Sequence, residues 1–123
     1  RAVPVYRALA ADLQRLGVDT CFGLMSDDTI GLTVALDELG VRFCAIRHET
    51  NAVLAAEGYA SASGRLGVAV IGRGPAAANG MHGAMVAART GSPVLIIMGE
   101  DEAAADPNSF GPDYKRYSAP AVM

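Results

Sequence analysis

Two hydrophobic periodicities alternate along this chain, and that alternation restricts its fold more than any single residue does. Residues 4–16 place Val5, Ala8, Leu9, Leu13 and Leu16 on one helical face, with Pro4 suited to a first turn and Gly17 to a stop. Residues 18–23 are short, apolar and rich in β-formers, which predicts a strand. A second helix is predicted over residues 29–39, with Ile30, Val34 and Leu39 inward, and a second strand over 41–46. An alanine-rich helix over 50–63, a strand over 67–71, a helix over 76–89 and a strand over 93–98 complete the pattern. Strand and helix alternating through short connections predict parallel strands joined by right-handed crossovers. The expected fold is a three-layer α/β sandwich with a mostly parallel sheet and helices on both faces. Strands two to four are nearly continuous apolar runs, as expected where both sheet faces are buried.

In open sheets of this kind ligands bind outside the carboxyl ends of the strands, so the informative loops start at Gly23, Arg47, Gly72 and Gly99. The rest of the composition narrows the ligand class. A formal charge of −3 without a basic cluster argues against a nucleic-acid partner. The longest apolar stretch, residues 93–98, is far below the roughly 20 residues that cross a bilayer, and the start does not read as a signal peptide. Cys21 and Cys44 fall in predicted strands and read as buried free thiols, without metal-ligand spacing, in a reducing and therefore cytoplasmic setting. Residues 101–123 change character, with Asp106-Pro107-Asn108, Gly111-Pro112 and an apolar Ala121-Val122-Met123 ending, which predicts a truncated domain spanning residues 1–123.

Three loops hold candidate chemistry. Arg47-His48-Glu49 stands at the end of strand two and the start of the alanine helix. An apolar cleft there disfavours the charged form of Glu49, while the helix start and Arg47 favour it. A plain helix-start glutamate is the commoner reading of such a position. His48 has no nucleophile to serve, because Ser61 and Ser63 lie at the far end of the helix. Gly72-Arg73-Gly74-Pro75-Ala76-Ala77 formally satisfies a dinucleotide-binding fingerprint. It follows the third strand instead of the first, and Pro75 deletes an N–H donor, so a tight strand-to-helix turn is the simpler reading. In Leu24-Met25-Ser26-Asp27-Asp28 one aspartate suffices as a helix cap, leaving the other for a cleft, with Met25 as an apolar wall. Glu57 reads as a structural or interface carboxylate.

Together the three loops resemble a known family. Arg47-His48-Glu49, Ala52 and Ala56-Glu57-Gly58-Tyr59-Ala60 match all nine defined positions of the R-H-E-x-x-A-x-x-x-A-E-G-Y-A stretch of thiamine-diphosphate-dependent enzymes. Gly74-Pro75 followed by Asn79 resembles that family's S-G-P-G-x-x-N turn, and Phe22-Gly23 its V-F-G strand end. The resemblance, to a group including acetolactate synthase, benzoylformate decarboxylase and benzaldehyde lyase, covers about residues 4–100 and implies the N-terminal pyrimidine-binding domain. It implies that Glu49 is catalytic, hydrogen-bonding N1′ of the aminopyrimidine and favouring the imino form that takes the thiazolium C2 proton. It implies further that Glu49, Gly74, Pro75 and Asn79 bind the cofactor, with Met25, Ser26, Asp27 and Arg73 around the substrate.

The chain departs from the family pattern in three places. Ala76 replaces the turn's second glycine, an arginine enters that turn at Arg73, and Met25-Ser26 replaces the usual Pro-Gly. Asp27 resembles a loop aspartate of the pyruvate decarboxylase branch, but that branch's paired histidines are not found in residues 101–112. The G-D-G…N motif by which the family holds the diphosphate and Mg2+ is also absent from the chain. The implied whole is therefore a lyase, decarboxylase or carboligase acting on a 2-oxo acid or related carbonyl compound, not active through this chain alone. It needs a diphosphate-binding domain in the same or another chain, within a homodimer, tetramer or heteromer. The alternatives are a non-catalytic assembly or regulatory domain of the same fold and a dinucleotide-binding module.

Overall fold

A computed structural model describes residues 2–100. Its elements run in strict alternation: α1 (Val5–Arg15), β1 (Thr20–Gly23), α2 (Ile30–Glu38), β2 (Arg42–Ala45), α3 (Glu49–Ser63), β3 (Gly67–Ile71), α4 (Pro75–Thr90) and β4 (Val94–Met98). The strands form one parallel sheet in the order β2-β1-β3-β4, with Phe22 opposite both Cys44 and Ala69 and with Ile71 opposite Met98. All carboxyl ends of the strands therefore open on one edge.

The residues of β3 are all buried, as a central strand covered on both faces requires. Their alternation sorts the core into two layers. Val68 and Val70 pack with Ala10, Leu13, Leu32 and Leu36 of α1 and α2, whereas Ala69 packs with Val53 and Ala56 of α3. On the α3 side small residues replace volume with proximity. A Cβ on Gly83 of α4 would stand 2.7 Å from Val53 Cβ and 2.9 Å from Thr50 O, so the two helices meet almost backbone to backbone.

Two expectations about burial fail for identifiable reasons. Ile30, Val34 and Leu39 face outward, at 48%, 46% and 37% exposure, and α2 buries Leu32, Thr33, Ala35 and Leu36 instead. That helix is apolar on nearly every side, so periodicity does not mark its inner face. On α1, Val5 and Leu16 lie at or beyond the ends and stay exposed, while Ala10 and Leu13 carry the burial. The second failure concerns β2, expected to be covered on both faces. It is an edge strand with Arg42 and Ala45 exposed, which leaves Cys44 only half-buried, and β4, from which the same was expected, is the other edge strand with all its residues half-buried. Cys21 on β1 is fully buried, and both thiols are free. Burial first, and the neighbouring Cys44 second, push the Cys21 thiol up to about 11.

The opposite edge of the sheet is tied down by polar clusters. Glu57 accepts hydrogen bonds from Ser61 and Ser92, both at 2.7 Å, which hold its carboxyl below the usual carboxylate range and pin the α4–β4 turn to α3. Asp19 accepts from Tyr59 at 2.7 Å and pairs with Arg65, joining the α1–β1 turn to α3. Glu57 is thus structural within the described residues, as the sequence suggests. No helix among those residues is long and apolar enough to cross a membrane.

Candidate functional site

At the carboxyl edge of the sheet the loops after β1, β2 and β3 converge on a cleft of about 200 Å³ lined by Ser26, Asp28, Glu49, Gly72, Arg73, Pro75 and Ala76. Glu49 reaches it as the first residue of α3, one position earlier than the sequence pattern places the helix start. His48 is the N-cap: its Nδ1 accepts the Thr50 N–H at 3.3 Å, which satisfies a donor the helix would otherwise leave open. The exposed histidine therefore works as a helix cap, with no nucleophile beside it among the described residues, as the sequence suggests.

Glu49 is half-buried, and its Oε2 accepts a hydrogen bond from Asn79 Nδ2 at 3.1 Å. Asn79 is fixed in turn because its backbone carbonyl accepts the Thr50 hydroxyl. The pair spans α3 and α4, so the close approach of those helices at Gly83 sets its geometry. Among the described residues no hydrogen bond to the second oxygen of Glu49 accompanies that one, leaving an acceptor for a ligand nitrogen.

The turn after β3 is shaped by glycine. Gly74 sits at φ 60° and ψ −119°, a conformation closed to side chains with a Cβ, and Pro75 follows at the first position of α4. The N–H groups of this turn are largely committed. Arg73 donates its N–H to Asp28 Oδ2 at 2.9 Å, Pro75 has no N–H, and Ala76 donates to Arg73 O at 3.3 Å. A pyrophosphate cradle needs such donors free.

The β1 loop departs from the capping expectation. Neither Asp27 nor Asp28 caps α2; Thr29 is its N-cap, without a side-chain capping bond to the helix, and the Ile30 N–H goes to Ser26 O at 2.9 Å. Asp28 instead turns into the cleft wall, whereas Met25 and Asp27 are exposed and outside its lining. Of the candidate residues, the cleft brings together Ser26, Glu49, Arg73 and Pro75, with Asn79 behind Glu49 and Gly74 in the adjoining turn. Of the two aspartates the sequence offers to a cleft, it is Asp28 and not Asp27 that lines this one; its partner Arg73 is 45 positions away, beyond any local pattern.

The size and lining of the cleft suit one small ring. Pockets that enclose a drug-sized ligand run to about 300–1,000 Å³, so this cleft matches a single heteroaromatic ring better than a whole dinucleotide. Pro75 and Ala76 supply an apolar wall, and the open oxygen of Glu49 supplies the acceptor. No cluster of metal-ligating side chains occurs among the described residues.

Comparison with known proteins agrees with this geometry. Residues 4–116 match the thiamine pyrophosphate enzyme family, N-terminal TPP binding domain. The chain is 35% identical over 102 residues to the acetolactate synthase large subunit of Lactococcus lactis, covering 82% of the chain and 17% of that protein. It is 37% identical over 91 residues to human 2-hydroxyacyl-CoA lyase 2, covering 74% of the chain and 14% of the relative. To the large subunit of Escherichia coli acetolactate synthase isozyme 2 it is 38% identical over 88 residues, 72% of the chain and 16% of that subunit. The chain thus spans only 14% to 17% of these relatives. With its Glu49–Asn79 pair at the carboxyl edge of a parallel sheet, the chain belongs to the thiamine pyrophosphate enzyme family, as an N-terminal TPP-binding domain.

Proposed function

We propose that residues 1–123 are the pyrimidine-binding domain of a thiamine-diphosphate-dependent lyase, decarboxylase or carboligase that acts on a 2-oxo acid or related carbonyl compound. One observation carries the reading: Glu49 opens α3 at the cleft with one oxygen held by Asn79 and the other available to a ring nitrogen. The names of the relatives, acetolactate synthase and 2-hydroxyacyl-CoA lyase, agree with chemistry at a carbonyl carbon.

When bound, thiamine diphosphate supplies the carbanion chemistry, and this chain supplies binding, orientation and one proton. Glu49 is the catalytic residue, sharing a proton with N1′ of the pyrimidine and so setting the protonation of the ring. Asn79 keeps the Glu49 carboxyl aimed at the ring edge, while Gly74 and Pro75 form the wall beside it. Arg73 and Ser26 face the same cleft and form the side nearest the substrate, where a guanidinium suits a carboxylate, whereas Met25 and Asp27, expected there from the sequence, stand outside the lining. The diphosphate and its Mg2+ belong to another domain, in the same chain or in a partner, so a homodimer, tetramer or heteromer in the cytoplasm completes the site.

Substituting Glu49→Gln in the complete enzyme tests the reading. With a panel of 2-oxo acids, turnover should fall by roughly 10²–10⁴-fold, the range of general acid–base contributions. Unchanged turnover would favour a non-catalytic assembly or regulatory domain. Tight NAD binding by the chain would favour a dinucleotide module, against the committed N–H groups of the turn.

A further inference from the structure

Asp28 is held from three directions at the point where β1, β3 and β4 end. Its Oδ2 accepts the Arg73 N–H at 2.9 Å, and its Oδ1 accepts the Ser26 hydroxyl. Ser26 is itself 3.0 Å from Thr29 Oγ1, the N-cap residue of α2. The carboxylate lies directly over Gly99, where a Cβ would overlap Oδ2, and Gly99 is buried although it follows the last strand. The loop and the turn also touch a second time, since a Cβ on Gly72 would stand 3.0 Å from Ser26 Oγ. The five residues between β1 and Thr29 contain no proline, so no fixed φ holds the loop. Ser26, Asp28, Gly72 and Arg73 all line the cleft opposite or beside Glu49.

We infer that Asp28 is a positioning residue of this site, clamping the β1 loop to the turn at residues 72–74 and so fixing the wall that holds the pyrimidine ring against Glu49. The inference rests on the proposal that the cleft receives that ring. Both oxygens of Asp28 act as acceptors, one for a backbone N–H and one for a hydroxyl. Asparagine keeps half of this directly, and its amide can donate to Ser26 Oγ once that hydroxyl turns. Alanine keeps neither bond. Gly99→Ala disrupts the clamp from the other side: the nearest atoms in its way are all in the Asp28 side chain and none is backbone, so it is Asp28 that must move.

The test measures the thiamine diphosphate dissociation constant of the complete enzyme by titration calorimetry, together with kcat and KM. Asp28→Ala should weaken cofactor binding by roughly tenfold, the scale of losing a hydrogen bond to a charged group. Asp28→Asn should stay within about threefold of the parent, and Gly99→Ala should match Asp28→Ala. The double variant Asp28→Ala/Gly99→Ala should be no worse than either single one, because the Cβ then enters the space the carboxylate left. Additive losses in the double variant, or unchanged cofactor affinity in Gly99→Ala, overturn the inference. So does an Asn variant as weak as the Ala variant. Such results, with Glu49→Gln still slow, remove the clamp and leave the assignment of Glu49 standing; full turnover in Glu49→Gln removes the assignment itself.

Discussion

Gly83 offers a perturbation whose sign follows from two opposed magnitudes. An alanine in a helix interior is favoured over glycine by about 1 kcal/mol. At Gly83, however, the added Cβ would stand 2.7 Å from Val53 Cβ, 2.9 Å from Thr50 O and 3.0 Å from Val53 Cγ1. Carbon atoms pack best at about 3.5–4.0 Å, so α4 must back away from α3 by about 1 Å. Overpacking of this kind costs about 1–3 kcal/mol, which exceeds the propensity gain. Gly83→Ala is therefore expected to destabilise the fold by about 1 kcal/mol net, lowering Tm by about 4 °C for a domain of this size. The same displacement carries Asn79, one turn earlier on α4, away from Glu49. A 3.1 Å hydrogen bond stretched by that amount is lost, so turnover of the complete enzyme falls with stability. Gly58→Ala, on the open side of α3 with nothing within 4 Å of its Cβ, is the control: stability should rise by about 0.5–1 kcal/mol with activity unchanged. Thermal unfolding of both variants, beside the parent, decides it. Gly83→Ala as stable as the parent, with full turnover, would refute the argument that helix proximity builds the site.

Three further outcomes follow from the same structure. Asn79→Ala removes the donor to Glu49 Oε2 and should reduce turnover more than it reduces stability, measured by comparing kcat with the urea midpoint. Cys21 holds its proton up to about 11 in the folded state against 9.0 ordinarily, so the folded chain retains a proton the unfolded chain gives up. Stability is then full below about pH 9 and declines by about 2–3 kcal/mol toward pH 11, a slope that Cys21→Ala should flatten in urea titrations. Tyr59→Phe deletes the tyrosine hydrogen bond that, ahead of Arg65, lowers the Asp19 carboxyl, so the Asp19 titration followed by NMR should move up toward its ordinary value.

The helix–strand alternation was legible because each element has its own stop signal. The strand predicted over residues 67–71 agrees to the residue, and other bounds shift by one or two positions. Glu49 and Asn79 stand apart in the sequence and were linked there only through the family resemblance; the structure brings them within 3.1 Å of each other. The inner face of α2 was hidden by apolar residues on both sides, a choice settled only by packing against Val68 and Val70. Strand order was equally hidden, so the edge position of β2 and the partial exposure of Cys44 could not be read. Asp28 shows the limit most sharply. Local rules leave open which of Asp27 and Asp28 caps α2, and the Asp28 carboxylate instead accepts a backbone N–H from a distant turn.

The central claim concerns a single carboxyl group, and the cofactor can report on it directly. Exchange of the thiamine diphosphate C2 proton for solvent deuterium, followed by NMR in the complete enzyme, should slow by roughly 10²–10⁴-fold in Glu49→Gln. Exchange as fast as in the parent would contradict the assignment of Glu49 as the activating residue.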